Sequence, residues 1–391
     1  MSSAKYQHLY VVMETQDDKL VPVSLEMLGK ARELMDSYNS KYQLNEKVVA
    51  ILLGHNLKQI CDTLIEHGAD VVVYADSHEL KDYRNNIYTK VISQIAQDDK
   101  VAAQISPDSK FTKPRYMFFA ADSIGRHLSS TVLVALDSGL ASDINKLEIN
   151  DITLTHQYKT DGKPIMYEKT LEMYRPDFSG FLWTTILCLD NKNPNIERDY
   201  HPQSCSIIPG VFEPITPHKG KKGQIIEYSP VFDKNDLRVK ILSRKVIKSE
   251  VDFDSFKAVV SFGRGIKDSP EQNIKLVEEL AKALSAEIGV SLPISKKPFV
   301  VSEGLSSKYM IPDRIIGTSG RKISPMLYVA VGISGAMQHI AGMQDSRFVV
   351  AINPDENSPI KDECDLFIKG RMEDVIPKLV EELKQSLAVN A

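Results

Sequence analysis

The chain has 391 residues, enough for two domains, and its apolar and charged fractions of 42% and 26% are those of an ordinary globular protein. A formal net charge of −4 argues against a nucleic-acid surface. No apolar run nears the roughly 20 residues of a membrane helix, and His8-Leu9-Tyr10-Val11-Val12 begins too early to leave room for a signal peptide or presequence, so a cytoplasmic protein that does not span a membrane is expected.

Residues 8–13 read as a buried strand. Val23 to Tyr38 carries Leu25, Leu28, Ala31 and Leu34 at helical spacing. Lys47 to Gly54 is a second strand. The helix from Leu57 to His67 is followed by Gly68 as its C-terminal cap, and then by a third strand, Ala69 to Tyr74. A further amphipathic helix precedes the strand Arg115 to Ala121, after which Ser123 is the expected helix N-cap. Arg126 either binds a phosphate or carboxylate at this edge or is a solvated helix residue. Strands alternating with amphipathic helices argue for a parallel sheet covered on both faces.

The pattern changes after Asp143. Leu147–Ile152, Pro164–Thr170 and Leu182–Leu189 alternate like antiparallel strands, with Trp183 expected in the core. Leu237 to Ile247 reads as an edge strand. The expected division is residues 1–225 as a partner-facing α/β domain, 226–256 as a linker or edge strand, and 257–391 as a second doubly wound domain. The second domain opens with the strand Ala258–Phe262, Gly263-Arg264-Gly265, and a helix capped by Asp268 or Ser269 with Pro270 in its first turn. The strand Arg347–Ile352, a strand over Cys364–Ile368 and a helix over Met372–Leu387 complete it.

Two glycine-rich loops organise this second domain. Ile316-Gly317-Thr318-Ser319-Gly320 is one. Ser334-Gly335-Ala336-Met337-Gln338-His339, after the apolar run Leu327–Val331, is the other and is expected to open a helix. Strand, glycine turn and helix N-terminus make an anion site, because backbone N–H groups point outward and small residues let a phosphate approach. Asn353 lies at the carboxyl end of another strand, where ligand contacts are expected. The spacing implies a dinucleotide held by its pyrophosphate. Cys61, Cys188, Cys205 and Cys364 are scattered with no Cys-x-x-Cys pair, which argues against a metal site or disulfide framework. A Gly-x-Ser-x-Gly elbow and a Walker loop are both absent from the sequence. The cofactor would therefore supply the chemistry.

The stretch Tyr328-Val-Ala-Val-Gly-Ile-Ser-Gly-Ala-Met-Gln-His-Ile-Ala-Gly-Met343, with Gly263-Arg264-Gly265, Gly289-Val290-Ser291 and Ala351-Ile352-Asn353, resembles the C-terminal flavin domain of electron-transfer flavoprotein alpha subunits. Gly125-Arg126, Leu136-Asp137-Ser138-Gly139-Leu140, Arg175-Pro176 and Pro209-Gly210-Val211-Phe212 resemble the family's first domain. The resemblance implies a Rossmann-like FAD-binding domain, a beta-subunit partner, a dehydrogenase donor, and a quinone reductase or ferredoxin-type acceptor. It implies pyrophosphate contacts at Ser319, Gly320, Ser334 and Gly335, completed by Arg264 and Ser291. It also implies that His339 faces the flavin pyrimidine carbonyl and that Asn353 meets the adenosine end. Some family members split electron pairs from NADH with a second flavin in the beta subunit. Leu292 stands where the family usually has arginine, and Arg371 where an acid is expected, so a structural subunit with a degenerate site is the other reading.

Overall fold

The computed structural model describes residues 5–108, 110–177, 182–244, 251–253, 255–295 and 301–389. The described residues divide into two compact units, those up to 244 and those from 251 onward. Among the described residues no helix is long and apolar enough to cross a membrane.

The first unit is a seven-stranded, wholly parallel sheet. Its strands are β1 (Tyr6–Val12), β2 (Val48–Gly54), β3 (Val71–Asp76), β4 (Lys113–Ala120), β5 (Leu140–Ile144), β9 (Gln203–Ile207) and β10 (Gln224–Tyr228). The order is β10-β3-β2-β1-β4-β9-β5. Strand alternation divides the core between two faces. Leu9 and Val11 pack under α1 (Pro22–Tyr42) and α2 (Gln59–Glu66). Tyr10 and Val12 pack under α3 (Asn85–Ile95), α4 (Asp99–Ile105) and α5 (Ser123–Ala135). Gly68 follows α2 with φ +121°, a conformation glycine adopts without cost. The antiparallel strands β6 (Lys146–Thr155), β7 (Pro164–Asp177) and β8 (Leu182–Leu187) form a separate sheet ordered β8-β7-β6.

Three expectations need correction here. The cap of α5 is Asp122, whose Oδ1 accepts from the N–H groups of Ile124 and Gly125, so Ser123 is the first helical residue. Trp183 is 57% exposed on β8, the edge strand of its sheet with only β7 beside it. The edge strand is β10 rather than a strand over Leu237–Ile247. Val239, Ile241 and Leu242 are exposed irregular chain, and residues 245–250 lie outside the described residues.

The second unit is a six-stranded parallel sheet. Its strands are β11 (Ala258–Phe262), β12 (Glu287–Ser291), β13 (Ile315–Ile316), β14 (Leu327–Val331), β15 (Val349–Asn353) and β16 (Leu366–Lys369). The order β13-β12-β11-β14-β15-β16 is that of a dinucleotide-binding doubly wound sheet. One face packs against α6 (Pro270–Ala283) and α7 (Met372–Val389) through Ile274, Val277, Leu280, Met372, Ile376 and Val380. Each such buried aliphatic side chain stabilises by roughly 1.5–3 kcal/mol. The other face is covered largely by chain without long helices, including Ile333, Ile340 and Met343.

Candidate functional site

In the second unit the strand order reverses between β11 and β14, and ligands of open α/β sheets bind at the carboxyl ends of strands at such a reversal. Gly263-Arg264-Gly265 follows β11, and Gly332 to Gly335 follows β14, so both glycine loops issue from that point. They close directly on each other. Gly263 N–H donates to Val331 O and Gly265 N–H to Gly332 O, both at 2.9 Å. A Cβ on Gly265 would lie 2.6 Å from Gly332 Cα. The loop after β13 joins them: Thr318 N–H donates to Gln338 O at 2.8 Å, and a Cβ on Gly317 would lie 2.6 Å from that same oxygen.

The glycines therefore do something other than what their sequence context suggests. Gly335 sits at φ +83°, and its missing Cβ would collide with the Ile360 backbone; that of Gly320 would collide with Ile315 O. In each case the space is filled by the protein's own main chain. The glycines bring three loops together and leave several of their amides without a partner. Among the described residues the N–H groups of Ser319, Ser334, Gly335 and Ala336 make no hydrogen bond, and the hydroxyls of Thr318, Ser319 and Ser334 are likewise unpaired. Thr318, Ser319, Gly320, Ser334, Ala336, Met337 and Gln338 are all exposed, while Ile316 and Gly317 are buried. Unpaired N–H groups on adjacent turns form a nest for anionic oxygen.

The expected helix after Gly335 is only the single turn Met337–Ile340. So short a helix contributes little dipole, and the free amides carry the anion preference. A Cβ on Gly342, just past this turn, would collide with the Gly317 backbone, so the segment packs directly on the first loop.

His339 is 5% exposed. Its Nδ1 lies 3.0 Å from Ile316 O and its Nε2 2.8 Å from the Tyr328 hydroxyl. A carbonyl only accepts, so Nδ1 carries the proton, Nε2 accepts, and Tyr328 O–H donates. Burial lowers the His339 pKa to about 4, against a smaller opposing effect of the Ile316 carbonyl. The ring is neutral at pH 7. In this arrangement both nitrogens serve the protein: they tie the Ile316 loop to β14. The donor or cation expected of His339 toward a flavin carbonyl would have to come from a ring whose two nitrogens are both engaged here.

Asn353 is similarly committed. Its side-chain amide donates to Ile333 O at 2.9 Å, and its Oδ1 accepts from Asp355 N–H at 3.0 Å, fixing the end of β15 to the loop after β14. Ser291 is buried at the end of β12. Arg314, 9% exposed, donates to Glu287 Oε1 (2.8 Å) and Ile288 O (2.6 Å), anchoring β13 beside β12. Arg371 pairs with Asp268 and Glu373 on the surface. Arg264 and Arg321 are exposed and make no ion pair among the described residues. Arg126 in the first unit is instead paired with Asp143 at 2.8 Å.

Residues 252–344 match the family described as the electron transfer flavoprotein FAD-binding domain, and residues 9–170 match the electron transfer flavoprotein domain. The chain is 33% identical over 391 residues to Protein FixB of Clostridium saccharobutylicum, covering 99% of both chains. It is 32% identical over 387 residues to the electron transfer flavoprotein subunit alpha of Clostridium acetobutylicum, covering 98% of this chain and 99% of that one. The chain belongs to the electron-transfer flavoprotein alpha-subunit family. It is also 29% identical over 392 residues to the acryloyl-CoA reductase electron transfer subunit beta of Anaerotignum propionicum, covering 97% of this chain and 96% of that one.

For a member of this family the donor set fits a dinucleotide diphosphate. Unpaired amides, unpaired hydroxyls and two unpaired arginines all suit anionic oxygen. Sequence reasoning missed Arg321, Tyr328 and Arg314. A cation directly after a glycine loop was the available signal for Arg321. A phenol within a wholly apolar strand was the signal for Tyr328, since a buried hydroxyl needs a partner.

Proposed function

We propose that this chain is the alpha subunit of a heterodimeric electron-transfer flavoprotein, holding FAD in its second unit and passing electrons between a dehydrogenase and a downstream acceptor. The observation that carries the reading is the closure of glycine loops at the strand-order reversal with four amides left unpaired. Ser319, Ser334, Gly335 and Ala336 would receive the pyrophosphate through their N–H groups, and Arg264 and Arg321 would balance its charge. Bound FAD supplies the electron storage that no side chain here provides. Tyr328, His339 and the Ile316 carbonyl hold the first loop in register with β14. Because His339 is neutral, it leaves the phosphate charge to the arginines. The FAD-binding description of residues 252–344 supports this assignment, and the electron-transfer names of the relatives support the carrier role.

The test is an absorbance spectrum of the chain co-expressed with its beta partner, with flavin counted after release. One FAD per heterodimer is expected. Two would move the reading to an NADH-dependent, electron-pair-splitting complex. None, with added FAD failing to bind, would refute the proposal in favour of a structural subunit.

A further inference from the structure

The first unit contains a cavity of ≈ 540 Å³ at the carboxyl ends of β1, β2 and β4, which the flavin reading does not use. Strand order reverses here as well, between β1 and β4. Glu14, two residues past the end of β1, lines it. Its main chain is fixed by α1: Glu14 N–H donates to Ser24 Oγ (2.9 Å), and Ser24 O–H donates back to Glu14 O (3.2 Å). Its side chain has little choice of direction, because Gly125 lies so near that a Cβ there would be 2.6 Å from Oε1. Glu14 is 6% exposed, and its Oε2 has no hydrogen-bond partner among the described residues. In the free protein this carboxyl shares a proton with Asp122, which leaves room for an occupant that can take that proton's place.

The cavity's other walls say what that is. Leu53, Leu128, Tyr83 and Tyr88 supply apolar and aromatic surface. Asp17, Asp18, Asp82 and Asp122 bring carboxylates, against the cations Lys81 and Arg244. Arg244 already pairs with Asp17 (3.2 Å), and His55 pairs with Asp76 (3.3 Å). Asp17 and Asp18 sit at the tip of a two-residue hairpin turn, both at positive φ, and present their charge at the rim. Acids outnumber bases even with Glu14 counted as neutral, which repels phosphate and carboxylate ligands. Among the described residues no group of three His, Cys, Asp or Glu side chains is placed to hold a metal ion.

We propose that this cavity binds a small organic cation, an amidinium or primary ammonium on an apolar body, with Glu14 as its buried counter-ion. Tyr83 and Tyr88 would face the body of such a ligand, and the rim aspartates would draw it in. Burial, and after it the neighbouring Asp122, raises the Glu14 pKa to about 9, so the free protein holds this carboxyl protonated at neutral pH. Cation binding then ionises Glu14. The O–H bond breaks, the proton leaves to solvent, and the charge stays as a carboxylate paired with the ligand. The groups facing Glu14 that would modulate this are Asp122, Asp82, Tyr83, Tyr88 and Lys81.

The experiment is calorimetric titration of the flavin-loaded heterodimer with benzamidine hydrochloride at pH 7, in phosphate and in MOPS. Buffers of different ionisation enthalpy report the proton. Saturable binding with release of about one proton per site is expected. Benzamide, benzoate and adenosine should bind at least about tenfold more weakly. Glu14→Gln should weaken benzamidine by about tenfold or more and abolish the proton release, with flavin content unchanged. Asp82→Asn, on the exposed rim, should weaken it a few-fold. Equal affinity for benzamide, tighter binding of benzoate or adenosine, an unchanged Glu14→Gln affinity, or no benzamidine binding at millimolar concentration would each overturn the proposal. Flavin counted in the same samples reports separately on the second unit.

Discussion

Acidification should loosen the second unit through His339, in an amount the structure specifies. The ring's folded pKa of about 4 lies below its ordinary value of 6.5. Below pH 6.5 the unfolded chain takes up a proton that the folded chain, with this ring buried between Ile316 O and Tyr328, refuses. The stability from this group is therefore fully present above about pH 6.5 and is lost as pH falls toward 4. The full shift corresponds to about 3 kcal/mol, and about 2 kcal/mol of it should disappear between pH 7 and pH 5. Urea unfolding at those two pH values, in wild type and His339→Gln, isolates the term because every other titrating group is shared. Trp183 belongs to the first unit, so its fluorescence follows that unit, and circular dichroism assigns the remaining transition to the second. Wild type should lose about 2 kcal/mol more than His339→Gln on acidification. An equal loss in both proteins would mean that the imidazole is protonated when folded, and the Tyr328–His339–Ile316 arrangement would be wrong.

Gly335→Ala should cost about 2 kcal/mol or more, because a Cβ at φ +83° also collides with the Ile360 backbone; thermal unfolding of the flavin-free protein measures this. That clash exists without ligand, so loss of flavin in such a variant reports on loop geometry as much as on phosphate contact. Arg264→Ala and Arg321→Ala should change stability by no more than about 0.5 kcal/mol while weakening FAD several-fold, as read from flavin release on dilution. Glu14→Gln should stabilise the first unit at pH 8 and have little effect at pH 4. A carboxyl whose folded pKa is about 9 rather than 4.5 loses its stability contribution as pH rises through that interval, and Trp183 fluorescence during urea unfolding would follow it.

Much of the architecture was legible because apolar runs such as Val48–Leu53 and Leu327–Val331 are continuous, as strands buried on both faces must be. The three antiparallel strands were legible from alternation. Trp183 was not: its environment depends on which face of that sheet is covered, and alternation does not say. The strand β10 was missed because its pairing with β3 joins residues more than a hundred positions apart. At the site, the sequence marked the loops correctly as glycine-bound. It did not reveal that the glycines accommodate each other's backbones, because Gly265 and Gly332 are distant in sequence and meet only through the parallel pairing of β11 with β14. Arg126 and Arg264 look alike in sequence, each beside a glycine near a strand end. Only Asp143, across from Arg126, separates them.

The stretch from Ile333 to Met343 offers amides on one side and on the other supplies three of the side chains that shield a sheet face. Affinity and resistance to unfolding in this unit are consequently linked. A ligand present at a hundred times its dissociation constant adds about 2.7 kcal/mol to such a unit. Cofactor bound during synthesis would then protect this unit against unfolding and proteolysis, and a lesion in the shielding side chains would be offset in part by added flavin.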